Sequence, residues 1–162
     1  MVLYLPRDAA SVPVSRQVLD GCLGTLGVAP DTRADIALAL TEACANVIQH
    51  ARPAEEYLVQ VKARNGQCAI EVVNTGSGTG PASLDGDGSW RAGHDDGALL
   101  ALLDEPMPVT AEHGRGLKII NAVVDSLELT GDGRHGVTVH FEKHLEWLPD
   151  APGRHLFQAE DD

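Results

Sequence analysis

The dipeptide Asn65-Gly66 lies between Leu58-Val59-Gln60-Val61-Lys62-Ala63 and Cys68-Ala69-Ile70-Glu71-Val72-Val73, and it constrains this chain more than any other feature. Asn-Gly tolerates the consecutive positive φ angles of a type I′ turn, whose twist matches that of two paired strands. The two apolar runs are therefore expected as neighbours in an antiparallel hairpin. A short edge strand is expected at residues 2–6, ending at Pro6. Two helical segments follow it. Ser11 to Leu26 carries helical spacing at Val14, Val18 and Cys22, with Leu19, Leu23 and Leu26 alongside, and stops at Gly27. A longer helix, with Asp31 expected as its N-cap, runs to about Ala51, where Pro53 prevents continuation.

After the hairpin the texture changes. Residues 74–116 hold nine of the seventeen glycines, three prolines and seven acids, with one short apolar run at 98–103. A connection of that length is usually functional or disordered. Helix resumes at about Gly116 (Leu117, Ile120, Val123, Val124), and two strands follow near 126–130 and 137–143 around Gly131-Asp132-Gly133. From Leu145 onward, Pro149, Pro152 and the terminal Glu160-Asp161-Asp162 read as an extended tail. The order β-α-α-β-β-loop-α-β-β, with hairpin-paired strands and helices over one face, predicts an α+β two-layer sandwich. Residues 1–144 form one domain in this reading, and 145–162 are the tail.

Composition narrows the function. At 162 residues and 43% hydrophobic content the chain can bury a real core, and no apolar run is long enough to cross a bilayer. The N-terminal residues lack the basic segment and apolar run of a signal peptide, so a cytoplasmic protein is expected. Cys22, Cys44 and Cys68 are odd in number and sit within apolar patterns, which suits buried thiols better than disulfides. A formal charge of -12 repels nucleic acid and anionic membrane and leaves proteins or small molecules as partners. An acidic protein that binds a nucleotide must build its anion site locally, from backbone amides and a bound cation.

The second helix has the pattern for such chemistry. At about 100° per residue, Glu42, Asn46, Gln49 and His50 share roughly one quarter of its circumference, while Ile36, Leu40, Cys44, Val47 and Ala51 occupy the opposite side. A carboxylate one turn ahead of a neutral oxygen ligand can hold a hard cation beside a reacting water or hydroxyl. Taken alone, the pair is also what an ordinary amphipathic helix displays. Three further features join it. Asn74-Thr75-Gly76-Ser77-Gly78 begins where a hydrophobic strand ends, so its glycines can bring backbone close to a bound ring. His113-Gly114-Arg115-Gly116-Leu117 opens a helix, whose free amides and dipole attract anions. Gly136-Val137-Thr138-Val139 lies in the last strand.

In this order, E-A-C-A-N-V-I-Q-H-A, V-V-N-T-G-S-G and H-G-R-G-L-K-I-I resemble the N-box and the two glycine boxes of the GHKL ATPase superfamily (gyrase, MutL, histidine kinases). Within it the chain resembles the anti-sigma factor serine kinases of the RsbW/SpoIIAB type, over roughly residues 2–144. The resemblance implies a Bergerat-type sandwich with a mixed, mostly antiparallel sheet. It implies ATP and Mg²⁺ as cofactors, protein serine kinase activity, and homodimerisation. The implied partners are a sigma factor, which the protein sequesters, and a STAS-type anti-anti-sigma antagonist, which it phosphorylates. Glu42 would be the general base or water-orienting group, and Asn46 would give its oxygen to the metal. Asn74, Gly76 and Gly78 would border the adenine, and Thr138 lies in the strand motif beside them. His113, Gly114, Arg115, Gly116 and Leu117 would receive phosphate, with Gln49 and His50 one turn on, and residues 75–115 would form a lid.

Two positions depart from the family pattern. The first glycine box opens on Asn74 in place of Asp, keeping an acceptor for the adenine amino group but losing its charge. Val137 stands where the strand motif has Thr, and Thr138 faces the other side of a strand. Three readings follow: a kinase, a binding module on the same fold with weak or no ATP binding, and an ATPase whose lid drives conformational change.

Overall fold

A computed structural model describes residues 1–50, 56–74, 112–130 and 138–157. Strands β1 (Val2–Pro6), β2 (Glu56–Arg64), β3 (Gln67–Asn74), β4 (Ser126–Thr130) and β5 (Thr138–His144) form one sheet in the order β1-β2-β3-β5-β4. The sheet was expected to be mixed, yet every pairing among these strands is antiparallel. Asn65 and Gly66 have φ of 52° and 74°, the left-handed pair that a type I′ turn requires, and Arg64 faces Gln67 across it.

Helices α1 (Ser11–Leu26), α2 (Pro30–His50) and α3 (Glu112–Val123) lie over one face of the sheet. Alternation decides which strand residues meet them. Val59, Val72 and Val139 stand in one cross-strand row and Val61, Ile70 and Phe141 in the next, all in the core with Leu19, Leu23, Ile36, Leu40, Val47 and Ile120. Asp31, expected as the N-cap of α2, falls inside its first turn instead. Pro30 takes the first helical position, where its fixed φ is already helical and its missing N–H costs nothing. Gly27 ends α1 at φ 82°, and Arg33 of α2 bonds Asp20 of α1 at 2.9 Å.

The segment after β5 is not an extended tail. Trp147 forms a β-bridge with Val28, and Pro152–Phe157 is a short helix, α4. Backbone bonds stitch the segment down: Ala29 donates to Glu146 (2.7 Å), Leu148 to Gly27 (2.8 Å), Leu145 to Gly66 (2.7 Å) and Gly66 to Phe157 (2.9 Å). Leu145 and Ala151 are buried, and a Cβ on Gly153 would collide with the Trp147 ring. Two prolines bound a docked segment here because Leu145, Trp147 and Ala151 have apolar surface to bury.

Candidate functional site

The predicted division of α2 holds. Ile36, Ala39, Leu40, Ala43, Cys44 and Val47 are buried, while Glu42 and Asn46 are half-buried on the opposite flank and Gln49 is exposed. His50 closes the helix. The half-buried positions belong to the flank against which α3 packs. There a Cβ placed on Gly116 would lie 3.0 Å from Glu42 Oε2 and 3.9 Å from Glu42 Cβ. Only a residue without a side chain leaves the carboxylate where it stands. Thus the predicted base and the second glycine box, distant in sequence, are in contact.

Helix α3 starts earlier than its apolar spacing suggested, at Glu112. The amides of Glu112, His113 and Gly114 precede the first i→i−4 bond, so Gly114 sits at the anion-attracting end, with the exposed Arg115 next to it. Gly116 is fifth, and the absence of a side chain there makes room for Glu42. The side chain of Leu117, the next residue of the box, is buried in the core. It is apolar and projects from the helix face that meets α2 and the sheet.

Asn74 ends β3 on the helix side of the sheet, opposite Tyr57 in register. It is only 3% exposed, and its Oδ1 has no hydrogen-bond partner. A buried acceptor left without a donor costs about 1–3 kcal/mol, so this oxygen fits a ligand that brings an N–H, as the amino group of adenine does. Tyr57, its cross-strand partner, is fully buried beside it. The Ser11 hydroxyl donates to the Asp8 carbonyl at 2.6 Å, so across the 2.7 Å contact between the two side chains Tyr57 is the donor. Burial pushes the phenol up to about 12 and the neighbouring Cys44 thiol up to about 11, so both stay neutral.

Thr138 is separated from this group. It pairs with Val73, one residue before Asn74, and so lies on the face turned away from the helices, as the period of two requires. Gly76, Gly78, Val137 and nearly all of the lid at 75–115 fall outside the described residues, as do the side chains of His50 and His113.

One supporting residue had no signal in the sequence. Arg7, in the turn after β1, donates from Nε (2.9 Å) and Nη2 (2.5 Å) to the carbonyl oxygen of Ile48. That carbonyl belongs to the last turn of α2, which has no helical donor of its own, and the cation also opposes the negative end of the helix dipole. The last turn of the Asn46 helix is thereby held to the β1–α1 junction.

Among the described residues no helix is long and apolar enough to cross a membrane. The profile of the histidine kinase-like ATPase domain matches residues 5–143. The serine-protein kinase RsbW of Bacillus mycoides is 26% identical over 146 residues, covering 89% of this chain and 84% of that protein. RsbW of Bacillus cereus is 25% identical over 145 residues with the same coverage. Among solved structures, that of the RsbU and RsbW domains of Rv1364c from Mycobacterium tuberculosis superposes with a TM-score of 0.59 at 16% identity. The match covers 90% of this chain but 32% of that one, so the chain spans about a third of that two-domain protein and shares its fold. A sandwich of this topology, with a half-buried Glu-Asn helix against a glycine-bearing helix and a profile match along almost the whole chain, places this protein in the histidine kinase-like ATPase domain family.

Proposed function

We propose that this chain is an ATP-dependent protein serine kinase of the anti-sigma type, which sequesters a sigma factor and phosphorylates a serine on a STAS-type antagonist. The observation that carries the reading is the seat of the Glu42 carboxylate against Gly116, which joins the N-box helix to the second glycine box. Similarity to two serine-protein kinases named RsbW supports it. Bound Mg-ATP supplies the transferable phosphoryl group and the cation that a chain of charge -12 otherwise lacks. Asn46 would hold the metal by its side-chain oxygen, the amides at the start of α3 would hold phosphate, and Asn74 Oδ1 would accept from the adenine amino group. Glu42 would accept or orient the proton of the attacking hydroxyl. The active unit would be a homodimer in the cytoplasm.

A second reading, a binding module that controls its partner by docking alone, is favoured by Asn74, whose neutral amide replaces the family's carboxylate. Phosphoserine mass spectrometry after incubation with Mg-ATP and a STAS-type protein from the same genome separates the two. The kinase reading expects transfer that falls at least about a hundredfold in Glu42→Gln, with nucleotide affinity little changed. Absence of both transfer and nucleotide binding in the wild type would establish the module instead.

A further inference from the structure

On the sheet face that meets the helices, a lysine ends an apolar row. Val61, Ile70 and Phe141 form one cross-strand row there, and Ala63, Cys68 and Lys143 form the next. A half-buried ammonium in such a place is stable only where its donors are met. Lys143 Nζ donates to the Val123 carbonyl at 2.7 Å and pairs with Asp35 Oδ2 at 2.9 Å. Val123 is the last residue of α3, and the last turn of that helix holds no basic residue. Its carbonyl has no helical donor, and the ammonium also opposes the negative end of the helix dipole. One nitrogen on β5 thus joins the end of α3 to the flank of α2.

Both ends of this tie lie two turns from the contact between Glu42 and Gly116. Asp35 precedes Glu42 by seven residues in α2, and Val123 follows Gly116 by seven in α3. Seven residues are two turns, about 10.5 Å of helix, and return to nearly the same side. The two contacts therefore lie along one seam between antiparallel helices. Other bonds fix the corner after α3 to the sheet: the Asp125 amide donates to the Glu142 carbonyl at 2.9 Å, and the Asp125 carboxylate accepts from the His144 amide. Neither reaches α2, whereas Lys143 does through Asp35. Apolar burial is non-directional, and a charged hydrogen bond is not, so this tie defines how far α3 lies along α2.

We propose that Lys143 is a positioning residue for phosphoryl transfer: through Asp35 and Val123 it sets the register of α3 along α2, and so keeps Gly116 against the Glu42 carboxylate. The effect on rate rests on the kinase reading above; the effect on geometry does not. Without the ammonium, α3 stays joined to β5, but α2 loses its polar tie to that corner and Glu42 its fixed place beside the second glycine box. A displacement of several tenths of an ångström there should cost about tenfold in rate.

The test compares Lys143→Met, which keeps the aliphatic stem, with Lys143→Arg, Asp35→Ala and Asp20→Ala in the isotope-labelled full chain. Asp20 pairs with Arg33 at 2.9 Å between α1 and α2, so its loss is the matched control for removing an ion pair from α2. Lys143→Met and Asp35→Ala should each move the amide resonances of 42–46 and 114–117. Lys143→Arg should return them toward their wild-type positions, and Asp20→Ala should leave them in place. In phosphotransfer at a temperature where every variant is folded, Lys143→Met and Asp35→Ala should each lower kcat about tenfold with KM for ATP little changed. Lys143→Arg should recover most of that rate, and the double variant should lose no more than either single one, since both break the same tie. A lowered melting temperature with unchanged amides and kcat would overturn the proposal and leave a strut for stability alone. Loss in Lys143→Met without loss in Asp35→Ala would overturn it as well, leaving a cap on α3. If the wild type transfers no phosphate, the kinase reading falls and the amides decide the register by themselves. Shifts confined to the neighbours of 35, 123 and 143 would then refute it, and shifts that reach 42–46 and 114–117 would uphold it.

Discussion

Replacing Gly116 by alanine separates stability from chemistry in one substitution. The residue is fifth of twelve in α3, where alanine is favoured over glycine by about 1 kcal/mol. For a domain of this size that gain corresponds to a rise in melting temperature of about 2–4 °C. Against it stands one contact: the new Cβ would sit 3.0 Å from Glu42 Oε2, several tenths of an ångström inside ordinary van der Waals distance. The atom it meets is the far end of a flexible side chain, so the carboxylate can swing aside at little energetic cost. Gly116→Ala should therefore be as stable as the wild type or slightly more so, with Glu42 displaced from its seat. A misplacement of a full ångström can cost a hundredfold in rate, and one of several tenths should cost about tenfold. Thermal unfolding and phosphotransfer, measured on the same preparation, give both quantities. Repeating the substitution in a Glu42→Gln background tests the route, because a loss that acts through the carboxylate cannot be incurred twice. Wild-type turnover in Gly116→Ala, or a further tenfold loss in the double variant, would refute the claim that this glycine exists to seat Glu42.

Other outcomes follow from single residues. Asn74 can present either its oxygen or its NH₂, so the wild type should discriminate poorly between ATP and GTP; Asn74→Asp should favour ATP by a further 1 kcal/mol or so in a competition titration. Tyr57→Phe removes the donor to Ser11 Oγ and should cost about 1 kcal/mol in denaturant unfolding, leaving the Ser11 bond to Asp8 intact. Gly27→Ala forces a side chain to φ 82° and places its Cβ 2.6 Å from that of Ala151, so a loss of about 2–3 kcal/mol and a loosened C-terminal segment are expected, the latter by hydrogen exchange. Glu71 is raised from 4.5 to about 7 in the folded chain, so between those values the native state binds more protons than the unfolded state. Its contribution is therefore full below about pH 4.5 and is lost as pH rises to about 7; Glu71→Gln should flatten that part of the stability profile.

The local elements were legible in the sequence because they rest on local physics. The limits of α1, the Asn65-Gly66 turn, the buried stripe of α2 and the exclusion of Thr138 from the helix side all follow from a period of 3.6 or 2 and from the φ angles a residue tolerates. The start of α2 was misplaced by two residues, since Asp31 signals an N-cap while Pro30 signals a first helical position, and the stiffer residue set the start. The extent of the C-terminal segment was missed for a different reason. Pro149 and Pro152 describe a chain that cannot continue a strand or helix, and they say nothing about the surface at Val28 and Gly27 that Trp147 and Ala151 cover. The same limit applies to the site. The polar face of α2 was visible as a pattern, but the pattern does not tell which element lies against it. That Glu42 meets Gly116, that Leu117 turns into the core, that Arg7 grips the end of α2, and that Asn74 keeps a buried oxygen without a donor are consequences of how helices and sheet stack. Each depends on residues far apart in the chain being pressed together when apolar faces are buried, and no local period records that.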